Sequence, residues 1–113
     1  MRILKERASS DEDFQVRYAA VQELARGWKE DPDTLPWLKE RASSGEHSDV
    51  RRAAVEELAK GWKEDPDTLR ILKERASSDE HSKVRQAAVK ELAKGWKEDP
   101  EVSDFLRKYL GMA

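Results

Sequence analysis

The run Val50-Arg51-Arg52-Ala53-Ala54-Val55-Glu56-Glu57-Leu58-Ala59-Lys60-Gly61-Trp62-Lys63-Glu64-Asp65-Pro66 returns 34 residues later, from Val84 to Pro100. It also stands 34 residues earlier, from Val16 to Pro32. Between the copies Val-Arg, Ala-Ala-Val, Glu-Leu and Gly-Trp-Lys-Glu-Asp-Pro do not change. A Leu-Lys-Glu-Arg-Ala-Ser-Ser run keeps the same period at Leu4, Leu38 and Leu72, and Leu106 marks the start of a fourth unit. Self-similarity at a fixed period of this size is the signature of a stacked repeat architecture.

Each unit reads as two helices. In the middle copy Val50, Ala54, Leu58 and Trp62 follow at four-residue steps with Val55 beside them, which puts them on one side of a helix. Ser48 or Asp49 is the expected N-cap, Gly61 and Pro66 are stop signals, and the stripe favours a helix that runs through Trp62. Leu35, Leu38 and Ala42 mark a shorter helix, capped by Asp33, with Pro36 in the first turn, where a missing N–H costs nothing. The short connections make successive helices antiparallel neighbours. A two-helix unit cannot bury its own apolar side, so the units are expected to stack on a common core. The expected fold is all-α: a solenoid of three 34-residue two-helix repeats, 3–36, 37–70 and 71–104, with a capping helix over 105–113, in one domain spanning 1–113.

The Val-Arg-x-Ala-Ala-Val-x-Glu-Leu run, an acidic turn before it and an Asp-Pro after it resemble HEAT-type repeats, including the short bacterial kind. The resemblance covers nearly the whole chain. It implies a right-handed superhelix with the second helix of each unit (helix B) on the concave side, and a role in protein–protein interaction. It also implies a unit-to-unit ladder built from a turn Asp and an Arg six residues later. Asp11 with Arg17 and Asp79 with Arg85 fit that pattern. In the middle copy Gly45 stands where the Asp belongs, so either Glu46 substitutes or the ladder breaks there.

Charge is abundant and balanced, with 22 basic and 24 acidic residues, and lacks the basic excess of a nucleic-acid binder. With no cysteine and no long apolar run, disulfides, Cys-based zinc sites and a membrane span are not expected; a soluble, cytoplasmic protein is the default. His47 and His81, the two histidines, occupy equivalent turns about one repeat step apart, too far to share a metal. No nucleophile has a base partner, and no glycine-rich phosphate loop is present. Neither an enzyme nor a cofactor is expected. Trp28, Trp62 and Trp96 share the apolar stripe and are expected to pack between units; Trp37 replaces Ile3, Ile71 and Phe105 and is expected to pack as well.

The differences between copies gather on one face of helix B. They are Gln15, Tyr18, Gln22 and Arg26 in the first unit, Asp49, Arg52, Glu56 and Lys60 in the second, and Lys83, Gln86, Lys90 and Lys94 in the third. At about 100° per residue these four positions span roughly 80°, opposite the apolar stripe. They form the candidate partner-binding surface for a protein or peptide. The alternative is a purely structural array, of recent duplication or repeat-based design, because copies two and three agree even in Lys-Glu-Arg-Ala-Ser-Ser and Lys-Gly-Trp-Lys-Glu-Asp-Pro, where stacking alone demands no identity. The uncovered Ile3 and Leu4 predict a monomer with weak end-to-end self-association. At the other end Val102, Phe105, Leu106, Tyr109 and Leu110 form an apolar stripe expected to cap the stack, with Gly111 ending the helix.

Overall fold

The computed structural model describes residues 2–110. Among them lie seven helices and no strand: α1 (Arg2–Ser10), α2 (Phe14–Gly27), α3 (Thr34–Ser44), α4 (Ser48–Gly61), α5 (Pro66–Ser78), α6 (Ser82–Gly95) and α7 (Pro100–Leu110). Each odd helix pairs with the even helix that follows it, as α1 with α2, α3 with α4 and α5 with α6. The repeat boundaries after 36, 70 and 104 fall inside α3, α5 and α7, since the phase of a 34-residue period is arbitrary. The block measures 47 × 28 × 17 Å. Its least dimension matches two layers of helices with axes about 8–10 Å apart.

The expected stripes form the core. Val50, Ala54, Val55 and Leu58 from α4 are buried with Leu38, Ala42, Leu72, Val84 and Leu92 from neighbouring helices. Leu35 is only half-buried. Pro36 explains why α3 is shorter than α5. Both open within an Asp-Pro-Asp-Thr-Leu run, but α5 begins at Pro66 and α3 only at Thr34. Pro36 has no N–H to bond the carbonyl four residues back, so it is tolerated only within the first turn. Asp33 occupies the N-cap of α3, but its side chain makes no capping hydrogen bond.

Two local expectations are corrected. The N-cap of α4 is His47, not Ser48 or Asp49, and its counterpart His81 accepts the Lys83 backbone N–H on Nδ1 at 3.1 Å. The B helices end at Gly27, Gly61 and Gly95 rather than running through the tryptophans. Trp28, Trp62 and Trp96 are C-caps with φ −122°, −134° and −130°, and each donates its backbone N–H to the Leu four residues back. Because their backbone has left helical geometry, projecting the stripe onto them fails. Trp62 and Trp96 are half-buried, and Trp28 is 38% exposed. Trp37 is half-buried against the core, with Arg41 5.9 Å from its ring centre.

The capping stripe of α7 is only partly realised. Val102 is fully buried, Phe105 and Leu106 are half-buried, and Tyr109 is 43% exposed, stacked on Phe105. The side chains of Ile3 and Leu110, and Gly111 itself, lie outside the described residues. No helix among the described residues is long and apolar enough to cross a membrane.

Candidate interaction surface

The surface begins with what joins the units. Arg17, Arg51 and Arg85 each donate through Nη1 to the backbone carbonyl six residues earlier, at Asp11, Gly45 and Asp79 respectively, at 2.6, 2.8 and 2.5 Å. That contact needs no Asp side chain, so Gly45 serves as well as Asp. The carboxylate is needed for the step to the next unit. Arg51 in α4 grips Asp79 with Nε at 2.9 Å and Nη2 at 3.2 Å, and Arg75 reaches the same carboxylate at 3.2 Å. Asp79 is fully buried, and although burial pushes its carboxyl up, Arg51, the His81 N–H and Arg75 hold it below the usual carboxylate range.

At the first junction the carboxylate comes from elsewhere. Arg17 grips Asp49, the second residue of α4, with Nε at 3.0 Å and Nη2 at 2.9 Å. Neither expected outcome at Gly45 holds: the ladder is intact and Glu46 is not the substitute. Gly45 has the same backbone as Asp79, φ −58° and ψ 138° against −64° and 136°. A Cβ at Gly45 would nevertheless lie 2.7 Å from the Arg41 carbonyl oxygen, so a side chain there would require a local shift.

The candidate residues divide into two groups. Those of the first two units largely tie units together. Tyr18 Oη donates to Glu56, Arg52 lies 5.4 Å from the Tyr18 ring centre and 3.5 Å from Glu56, and Arg26 holds buried Glu57 at 3.2 Å. Burial, then the Glu56 hydrogen bond and charge, push the Tyr18 phenol up to about 12. Gln15 and Lys60 are exposed and Gln22 half-buried, and their side chains make no such tie among the described residues. In the third unit Lys83, Gln86, Lys90 and Lys94 are all exposed.

Two shallow depressions lie on this face. One, of about 300 Å³, is lined by Arg52, Glu56, Lys83, Gln86, Ala87 and Lys90. The other, of about 310 Å³, is lined by Phe14, Ser48, Asp49, Arg52, His81 and Lys83. Phe14 was not among the sequence candidates. It is 59% exposed, and its signal was an aromatic where the other copies carry Ser48 and Ser82.

The shared Gly-Trp-Lys runs have a physical use. Lys29 lies 5.6 Å from the Trp62 ring centre, and Lys63 lies 5.5 Å from that of Trp96. Each Lys thus covers the Trp of the next unit, so identity in that run follows partly from stacking. On the A side, Lys39 bridges to Asp65 and Asp67 at 3.0 Å, and Lys73 to Glu101 at 2.6 Å. Among the described residues no group of three or more His, Cys, Asp or Glu is placed to hold a metal ion.

No curated protein and no solved structure matches the chain. The HEAT repeats family matches it over residues 1–93 and again over 43–112. HEAT repeats are helical scaffolds that often mediate protein interactions. With helix pairs that stack through an Arg–Asp ladder, and a family match that between its two segments reaches from residue 1 to residue 112, the chain belongs to the HEAT repeat family.

Proposed function

We propose that this chain is a non-catalytic scaffold whose B-helix face receives a protein or peptide. One observation carries the proposal: the side chains that differ between copies share one face of the B helices, and in the third unit all four are exposed and none has a side-chain bond among the described residues. Closer packing between successive B helices than between successive A helices supports a concave B side, and the right-handed superhelix is carried over from the HEAT resemblance alone. In the third unit, exposed and unengaged residues stand where a partner can reach them.

A second reading, a purely structural array, is favoured by a different observation. Tyr18, Arg26, Asp49, Arg52 and Glu56 are engaged in bonds between units or along their helix, which gives their differences a structural use. A peptide-array screen separates the two. Its hits are re-tested on a Gln86→Ala/Lys90→Ala variant and on a variant changed at Glu40 and Glu74 of the A helices. Binding lost only in the first variant supports the scaffold; an array empty of reproducible hits favours the structural reading.

A further inference from the structure

The exposed charge on the B-helix face is polarised. The whole chain carries a net charge of −2, yet among the described cations of this face without an ion partner one, Lys60, stands on α4 and three, Lys83, Lys90 and Lys94, stand on α6. The nearby acids are occupied: Asp49 is held by Arg17, and Glu56 by Tyr18 and Arg52. Their side chains are only 18% and 15% exposed. Lys90 and Lys94 are one turn apart, and like charges at that spacing weaken a helix slightly. At the position of Lys90 the other units carry Gln22 and Glu56, so the repetition in charge is peculiar to α6.

The two depressions share Arg52 and Lys83, so they join into one groove between α4 and α6. Phe14 lies at one end, and Ala87 contributes apolar floor. We infer that this groove binds an extended acidic peptide segment, with an apolar side chain against Phe14, carboxylates on Lys83 and Lys90, and a further carboxylate on Lys94, one helical turn beyond the groove. The inference rests on the scaffold reading and names its partner class. Spacing sets a motif. Lys83 to Lys90 is about 10 Å along the helix, and Lys90 to Lys94 about 6 Å. An extended strand advances about 3.3 Å per residue, so the acids fall three and then two residues apart. A peptide is favoured over a nucleic acid because the chain has a net charge of −2 rather than a basic excess, and the guanidinium of Arg52 is already held against Glu56 and Tyr18.

The test is fluorescence anisotropy with a labelled synthetic peptide, Leu-Ser-Ser-Glu-Ser-Ser-Glu-Ser-Glu. The comparison probes are its Gln-for-Glu counterpart, its Lys-for-Glu counterpart and a 12-nucleotide single-stranded DNA. The expected result is binding of the acidic peptide that weakens with salt and falls about tenfold or more for the Gln peptide. Lys83→Glu/Lys90→Glu should reduce it by a similar factor or more, and Phe14→Ser by about threefold. Lys97→Glu/Lys108→Glu, an equal charge change at exposed positions elsewhere, should leave it intact, and circular dichroism establishes that each variant folds. No binding of the acidic peptide at millimolar concentration, or tighter binding of the DNA, overturns the inference. Equal binding of the Gln or Lys peptide that still depends on Gln86 and Lys90 overturns the acidic class but leaves the scaffold reading standing. Peptide binding indifferent to every B-face substitution overturns both.

Discussion

Asp49 shows how one side chain can take over a task that another position has lost. Arg17 and Asp49 have side chains 10% and 18% exposed, and their two-point contact spans the first junction. Removing one partner of such a pair leaves the other charged and poorly solvated. Asp49→Ala is therefore expected to cost about 2–3 kcal/mol in urea unfolding, at the low end for a buried pair because both groups retain some water. A double-mutant cycle with Arg17→Met should show coupling of about 1–3 kcal/mol, since contacting partners do not add. Additive losses would mean that the pair does not bind the units together. Trp62 points the other way. As a half-buried C-cap under Lys29 it has less to lose than a core residue. Trp62→Ala should cost about 1–2 kcal/mol, below the roughly 3–5 of a core Trp. A loss at the core value would place the ring inside the stack.

At the scale of elements, the junction of α4, α5 and α6 depends on one carboxylate. Asp79 sits in the turn between α5 and α6 and accepts from Arg51 of α4 and Arg75 of α5. Its pKa is depressed in the folded protein, whereas in the unfolded chain it returns to about 3.9. A depressed carboxyl stabilises the fold above the unfolded value and loses that contribution as pH falls through the folded one. Stability is thus expected to be complete near pH 6 and to decline below about pH 4. Asp79→Asn should lower stability at neutral pH and flatten the fall between pH 5 and pH 3, read from urea midpoints at each pH. An unchanged acid slope would remove Asp79 as its source. The contrast with Gly45 explains why the ladder could be read only halfway from sequence. The Arg positions repeat in register, but the acceptor moved by four residues, from the turn before α4 to the second residue of that helix. Spacing along the chain does not reveal that equivalence until the neighbouring helix is in place.

Across the whole molecule, the seven-helix order and the buried stripes were legible because identity at one period leaves a single stacking pattern for Val50, Leu58, Leu72 and their counterparts. The tryptophans were misjudged because the helix stops one residue before each of them. The candidate stripe was legible as a face, but its division was not: Tyr18, Asp49 and Glu56 turn out to be engaged between units, whereas Lys83, Lys90 and Lys94 stay open. Phe14 escaped because it lies at the first turn of α2, outside the compared stripe. The contribution of α7 to the stack is similarly mixed. Val102 is fully buried in the common core, Phe105 and Leu106 pack half-buried against it, and Glu101 ties α7 to Lys73 of α5. A fully buried Val is worth about 1.5–3 kcal/mol, and each half-buried side chain about half as much, so α7 should contribute about 3–6 kcal/mol. In a chain of this size each kcal/mol moves the melting temperature by about 4 °C. Deleting residues 100–113 should accordingly lower Tm by on the order of 12–24 °C in a calorimetric scan, while Tyr109→Ser, at an exposed ring, should shift it by no more than about 3 °C. A truncated chain that melts within a degree or two of the intact one would make α7 a passive extension, and the burial of Val102 would then stabilise α7 alone and not the stack it rests on.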